Sequence, residues 1–339
     1  MRISKIILTG LLLTALGLGL PPQAAAQKSK KKKEPPKGTP VLWRDPGDIP
    51  ALNLLDGPGG EESKPDLSRV TFVKEEKGGY SKKYRVRDAK GREWVAKIGK
   101  EAQPETAAVR LVWAAGYVTE INYLAPCVAI EGAPPPGKDE TCAEGGFANV
   151  RFEARPEHVK RHDPWRWDSN PFVGTRELQG LKVLMALVEN WDLKDDNNRV
   201  LHVRAEGGDE LHHIVSDLGA TFGKTGGQNG PVALLRQVKG SRNEPADYAA
   251  DKFIEGVEAG SVRLDYDGKN AKLMRGISVE HAAWVGGLLS RLSDQQIQDA
   301  FRAANYSPED VQTLATAVRK RIDELVALGN AAPADTNAP

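Results

Sequence analysis

Cysteine is nearly absent. Two residues, Cys127 and Cys142, serve 339 positions. That excludes a disulfide-built scaffold and a zinc site made of four thiolates. Net charge is also small. The 47 Lys and Arg against 46 Asp and Glu leave +1, so bulk charge speaks against a basic nucleic-acid binder, and no nucleic-acid partner is expected. Beyond the first 20 residues there is no apolar run long enough to consider for a membrane. No Gly-x-Ser-x-Gly elbow is present, and neither cysteine suits nucleophilic attack. What remains is 40% hydrophobic and 27% charged, the composition of a globular protein with one or two cores.

The N-terminus carries an address. Arg2 and Lys5 precede the apolar run Ile6–Leu20, Pro21-Pro22 ends it, and Ala24-Ala25-Ala26 offers the small residues that a signal peptidase reads. Residues 1–26 are expected to be a secretory signal, with the mature protein starting at Gln27 and exported to a periplasm or the outside. An uncleaved anchor is the alternative; the run is short for one. Losing Arg2 and Lys5 takes the net charge from +1 to −1. Residues 27–38 hold six Lys and one Glu, which leaves the remainder near −6. Residues 27–66 read as a basic, then Pro/Gly-rich, linker or leader. Leu42, Trp43, Ile49, Leu52 and Leu55 are its candidates for packing on the body. In an exported chain, Cys127 and Cys142, within one Pro/Gly-rich loop over 125–150, are expected to form a disulfide.

From Arg69 the pattern is of strands: Val70 and Phe72, a Lys77-Gly78-Gly79 turn, Tyr84 and Val86, an Asp88–Gly91 turn, then Trp94 to Ile98. Gly-containing turns between alternating runs predict an antiparallel meander. Lys97 shares a face with Val95. A helix follows, with Pro104 in its first turn, Glu105 near its N-terminus, Gly116 at its C-cap, and Ala108, Leu111, Val112 and Ala115 inward. Asn149 to Ala154 reads as a strand and Thr175 to Asn190 as a helix. Arg199–Val203 and Leu211–Val215 read as a hairpin around the turn 205–209. The last third reads as helical, capped at Ser278, at Ser293 with Gln296, and at Ser307. Leu288, Leu292, Ile297, Phe301, Leu314, Val318, Ile322 and Leu325 would be its core. Residues 329–339 are expected to be a disordered tail.

The densest polar cluster is Asn190-Trp191-Asp192-Leu193-Lys194-Asp195-Asp196-Asn197-Asn198, after a helix and before a strand. Asp217, in Ser216-Asp217-Leu218-Gly219, follows the next strand. A hairpin between them brings Asp192, Asn197 and Asp217 together. Two carboxylates, an amide and a lysine suit a hydrated Mg²⁺ holding phosphate oxygens. A plain turn would explain one such loop, but not two joined by a hairpin.

Asp192-Leu193-Lys194-Asp195-Asp196-Asn197 resembles the catalytic loop of the protein-kinase-like superfamily, where an Asp and an Asn stand five apart with a Lys two after the Asp. Asp217-Leu218-Gly219 resembles the Asp-Phe-Gly metal motif, and Trp94-Val95-Ala96-Lys97 the strand with the phosphate-binding Lys. Glu105 stands where its helix partner would be, and the chain order matches over about residues 69–327. The resemblance implies a two-lobed α+β fold: an N-lobe over 67–155, made of a β-meander and a helix, and a mostly helical C-lobe over 156–328. It also implies roles. Lys97 would contact nucleotide phosphates and Glu105 would orient it. Asp192 would accept the acceptor's proton, Lys194 would steady the phosphoryl group, and Asn197 and Asp217 would bind the metal. ATP or another nucleotide with Mg²⁺ or Mn²⁺ is then expected, and a protein, lipid or small-molecule acceptor. Lys77-Gly78-Gly79-Tyr80 is not the glycine-rich loop, Asn190-Trp191 replaces His-Arg, Lys97 and Glu105 are close in sequence, and no Ala-Pro-Glu triplet follows Asp217. These departures point to atypical branches, similar to HipA-like, secretory-pathway and phosphatidylinositol kinases.

Three functions stay open on these residues: a metal-dependent phosphotransferase, a kinase-like binding module without catalysis, and a nucleotidyl transferase on the same fold. His158 and His162 have a metal-like spacing on a possible helix, interrupted by Pro164, and read better as surface residues. His212 and His213 point to opposite faces of a strand and do not chelate one ion easily.

Overall fold

The computed structural model describes residues 36–78, 81–205, 207–226 and 240–331. The expected signal sequence, the lysine run up to residue 35, Gly79 and Tyr80 of the first turn, Glu206 of the hairpin turn, loop residues 227–239 and the tail from 332 lie outside the described residues.

The first element, β1 (Thr39–Val41), belongs to a sheet completed much later. The meander then forms as expected: β2 (Thr71–Glu75), β3 (Lys82–Arg87) and β4 (Glu93–Ile98). Next come α1 (Ala102–Ala114), β5 (Asn122–Val128) and β6 (Phe147–Ala154). The five strands make one antiparallel sheet in the order β2-β3-β4-β6-β5. Strand alternation sends Trp94, Ala96 and Ile98, with Val150 and Phe152, into one apolar cluster with Tyr84, Val86 and Tyr123. Val95 and Lys97 lie on the opposite face, where the register sets Lys97 against Arg151 and Val95 against Glu153. α1 packs on β5 and β6. Gly116 ends it at φ +91°, where a Cβ would stand 2.3 Å from the Arg44 carbonyl oxygen, so a side chain is excluded twice over.

β5 corrects the reading of 125–150 as a loop throughout. Its sequence holds Pro126, which lacks an amide donor, and β5 is an edge strand where that loss is tolerated. Cys127 lies on β5 and is bonded to Cys142, with the two Cα atoms 5.7 Å apart.

The second half begins with β7 (Val159–Arg161) and α2 (Arg176–Leu187), followed by the hairpin β8 (Asn198–Ala205) and β9 (Gly208–Val215). His158 and His162 therefore flank a strand and share no helix face. The sheet order is β1-β9-β8-β7, with β1 parallel to β9. α3 (Pro245–Ala250), β10 (Ile254–Glu258), β11 (Ser261–Leu264), α4 (Val279–Leu289), α5 (Asp294–Arg302) and α6 (Pro308–Ala331) complete the chain. The β10–β11 hairpin interrupts a stretch read as helical. α6 carries through Gly329 and Asn330 to Ala331, three residues into the expected tail.

The expected caps are in place: Ser278 accepts from the His281 amide, Ser293 and Gln296 cap each other reciprocally, and Ser307 accepts from the Asp310 amide; Thr175, read only as a helix start, also caps by accepting from the Leu178 amide. Leu178, Leu181, Leu184, Ile297, Phe301, Leu314, Val318 and Ile322 are buried together, and Leu288 packs partly buried against them. The molecule is thus a mixed α+β fold, with a sheet-built N-terminal region and a mainly helical C-terminal region. No described helix is long and apolar enough to cross a membrane.

The leader spans both regions. Trp43 donates from Nε1 to the Ala115 carbonyl at 2.8 Å and packs on Trp284, with ring centroids 5.4 Å apart. Gln296 donates from Nε2 to the carbonyls of Ile49 and Leu52, both at 2.9 Å. Leu42 and Ile49 are buried, but Leu55 is not: it is 48% exposed while its neighbour Leu54 takes the core position.

Candidate active site

Lys97 is the hub. It is fully enclosed on β4, yet its Nζ meets three carboxylates: Glu105 at 2.8 Å, Glu101 at 3.0 Å and Asp217 at 3.2 Å. Burial alone would push the ammonium's pKa down, but Glu105, Asp217 and Glu101 outweigh it and hold it above the usual lysine value. Glu105 sits one turn into α1 and is shared, because Arg151 Nη2 lies 3.1 Å from its second oxygen. The same Arg151 nitrogen is 3.0 Å from Glu153. Glu101, just before α1, is also paired with Arg242 and takes the Ser81 hydroxyl.

The loop after α2 is shaped by a buried charge. Glu189 ends the helix at φ +54°, and Arg321 of α6 pairs with it at 2.8 Å. Asn197 then folds the loop on itself: Nδ2 donates to the Asp192 carbonyl at 2.7 Å and to its Oδ2 at 3.2 Å. Lys194 Nζ lies 2.9 Å from the same Oδ2. Lys269 covers the other side, 2.7 Å from Oδ1, and its amide donates to the Trp191 carbonyl at 2.8 Å. Burial pushes the Asp192 carboxyl up, but hydrogen bonds from Lys269, Lys194 and Asn197 outweigh it and hold it below the ordinary range.

Asp217 is fixed to this loop by its backbone, its amide donating to the Asn197 carbonyl at 3.2 Å. Lys97 outweighs burial and keeps its pKa low. Its Oδ1 accepts from Lys97 and, at 3.3 Å, from the Gly219 amide. Gly219 has to be a glycine here, since a Cβ would stand 2.6 Å from the Glu101 Cβ and 3.2 Å from Lys97 Nζ.

The structure thus gathers the six residues read from sequence into two sets joined at Asp217: Lys97 with Glu105, and Asp192 with Lys194 and Asn197. Glu101, Arg151 and Lys269 escaped the sequence reading. Glu101 is brought to Lys97 by the turn between β4 and α1, which no helical spacing announces. Arg151 and Lys269 carry no local signal, because strand register and a distant loop bring them in.

No family model matches the chain, and no curated protein matches it. Solved structures do. The proinflammatory kinase CtkA of Helicobacter pylori is similar at TM-score 0.46 and 13% identity, over 78% of this chain and 97% of that one. Hydra Fam20, solved with sugar, is similar at TM-score 0.38 and 10% identity, over 80% and 88%. The Golgi casein kinase with Mn/ADP bound is similar at TM-score 0.37 and 7% identity, over 78% and 73%. What the site can do rests on its own residues.

Proposed function

We propose that this chain is an exported, metal-dependent phosphotransferase, with a lobe over 67–155, a lobe over 156–328 and the site between them. The carrying observation is that one hydrogen-bonded loop ties the Asp192 carboxylate to the Asp217 backbone while the Lys97–Glu105 pair closes on Asp217. Donor chemistry supports the metal. Asn197 spends its amide nitrogen within the loop, which leaves its carbonyl oxygen, and Asp217 Oδ1 takes the described contacts, which leaves Oδ2. Two hard oxygens suit Mg²⁺ or Mn²⁺, which when bound neutralises charge on the phosphate oxygens.

The chain's own groups do the rest. Lys97, oriented by Glu105, binds phosphate oxygens of ATP or a similar nucleotide. Asp192 accepts the proton of the acceptor hydroxyl as that oxygen bonds to the terminal phosphorus. The bridging P–O bond breaks and the nucleoside diphosphate leaves. Lys194 balances charge on the moving group. Residues 1–26 supply export, and the Cys127–Cys142 bond suits an oxidising compartment.

A thermal-shift titration with ATP and Mg²⁺ or Mn²⁺ tests the reading. Metal-dependent stabilisation is expected in the natural protein and largely lost in Asp217→Ala. Equal shifts in both proteins would refute it.

A further inference from the structure

A cavity of about 600 Å³ lies among the leader, the turn after α1, the connector after β6 and the β7–β8–β9 strands. None of the six site residues lines it. Its wall is mostly apolar, with Trp113, Tyr117, Ile121, Val159, Leu201 and Val203. Thr119, Glu120, Arg155 and Arg161 supply polar groups. Two of these residues keep polar atoms without a protein partner among the described residues. The Thr119 hydroxyl is buried without a hydrogen bond. Arg155 spends Nη1 on Glu153 and the Ala154 carbonyl, and among the described residues nothing takes its Nε or Nη2.

We propose that this cavity binds a small amphipathic organic acid, an apolar body of about ten carbons with one carboxylate, and that its occupancy is felt at Lys97. The size and apolar wall suit the body. The head is set by unspent donors: Arg44 is held by Glu210 and Arg161 by Glu120 and Glu153, whereas Arg155 Nε and Nη2 and the Thr119 hydroxyl have no partner among the described residues. Glu120 is paired with Arg161, and burial and the adjacent Glu153 push its pKa up to about 7.

A continuous chain of ion pairs runs from the cavity to the active site. Arg161 pairs with Glu120 and, at 3.2 Å, with Glu153. Glu153 holds Arg151, Arg151 holds Glu105, and Glu105 holds Lys97. Arg161 also donates to the Ser216 hydroxyl at 2.8 Å, one residue before Asp217. A ligand carboxylate competes with Glu153 for Arg155 and Arg161. Glu153 then leans on Arg151, which loosens from Glu105. Glu105 is left to hold Lys97 alone, and Lys97 releases Asp217. Nucleotide and metal should therefore bind more tightly when the cavity is filled, and by reciprocity they should tighten the acid. This coupling rests on the phosphotransferase reading; the binding does not.

The experiment titrates the full chain with decanoate, against 1-decanol and decyltrimethylammonium, by thermal shift. Decanoate at about ten times its dissociation constant should raise the Tm by about 2 °C. The alcohol should do much less and the cation nothing. Leu201→Trp and, independently, Val159→Trp fill the cavity and should abolish the shift. No decanoate shift, a shift surviving in both folded variants, or an equal shift with the cation would overturn the site. ATP–Mg²⁺ affinity should rise about fivefold with decanoate present, and an unchanged affinity would overturn the coupling. Absence of any nucleotide binding would sink the phosphotransferase reading and the coupling together, while the site would still stand or fall on the decanoate result.

Discussion

The two faces of the five-stranded sheet are made from alternate residues of the same strands, yet they do different work. On one face Trp94, Ala96, Phe152, Tyr84 and Val86 pack aromatic edge to aromatic face, with Trp94 and Phe152 centroids 6.3 Å apart. On the other, Lys97, Arg151 and Glu153 are equally buried but charged, and each meets at least one opposite charge. Burying such charges costs several kcal/mol apiece before pairing repays it. The apolar face therefore carries the stability of the sheet, and the charged face is kept for what it does next to Asp217. Period-two alternation lets one set of strands serve both ends.

The sharpest way to break this contrast is Phe152→Ala. It should cost about 3–5 kcal/mol in urea unfolding, with nucleotide affinity of the folded fraction unchanged; a loss of affinity at constant stability would show that the faces are not separable. Next comes the disulfide on the edge strand of the same sheet. Cys127→Ser with Cys142→Ser should cost about 3 kcal/mol in the chain-entropy model, again without touching Lys97 chemistry. On the charged side the effect should invert. Asp192→Asn should leave the urea midpoint near that of the natural protein while phosphoryl transfer falls about a hundredfold or more. Transfer is to be followed as autophosphorylation or slow ATP hydrolysis. Smallest is Lys269→Met. Asp192 has a lowered pKa in the folded state, so its contribution is in place above the unfolded carboxyl value of about 4 and is lost as pH falls through the folded one. Without Lys269 that lower boundary should move up. The acid limb of the pH–rate profile should shift towards neutrality, and an unmoved limb would leave Lys269 a structural role only.

How much of this was legible depends on where each signal is stored. Contiguous segments such as Trp94–Lys97, Asp192–Asn197 and Asp217–Gly219 could be singled out as neighbours in space, as could a helix marked by an apolar stripe such as Leu178, Leu181 and Leu184. Residues whose role is set by register were not. Arg151 matters because β4 and β6 pair it across from Lys97, and Lys269 because a loop some 75 residues on in the chain bridges Asp192. β5 was missed because Pro126 speaks against a strand unless the strand is known to lie at an edge. The β10–β11 hairpin was missed because its turn, Ala259-Gly260, has two positive φ angles without the Asn-Gly that usually announces them.

The parallel pairing of β1 with β9 sets a timetable for the chain. Pro40 has no strand partner until Leu211 exists, so during synthesis the leader waits while most of the protein is made. Closing so long a loop is slow compared with forming the local meander. The strand that ties the front of the described chain to the β8–β9 hairpin is therefore among the last elements to lock.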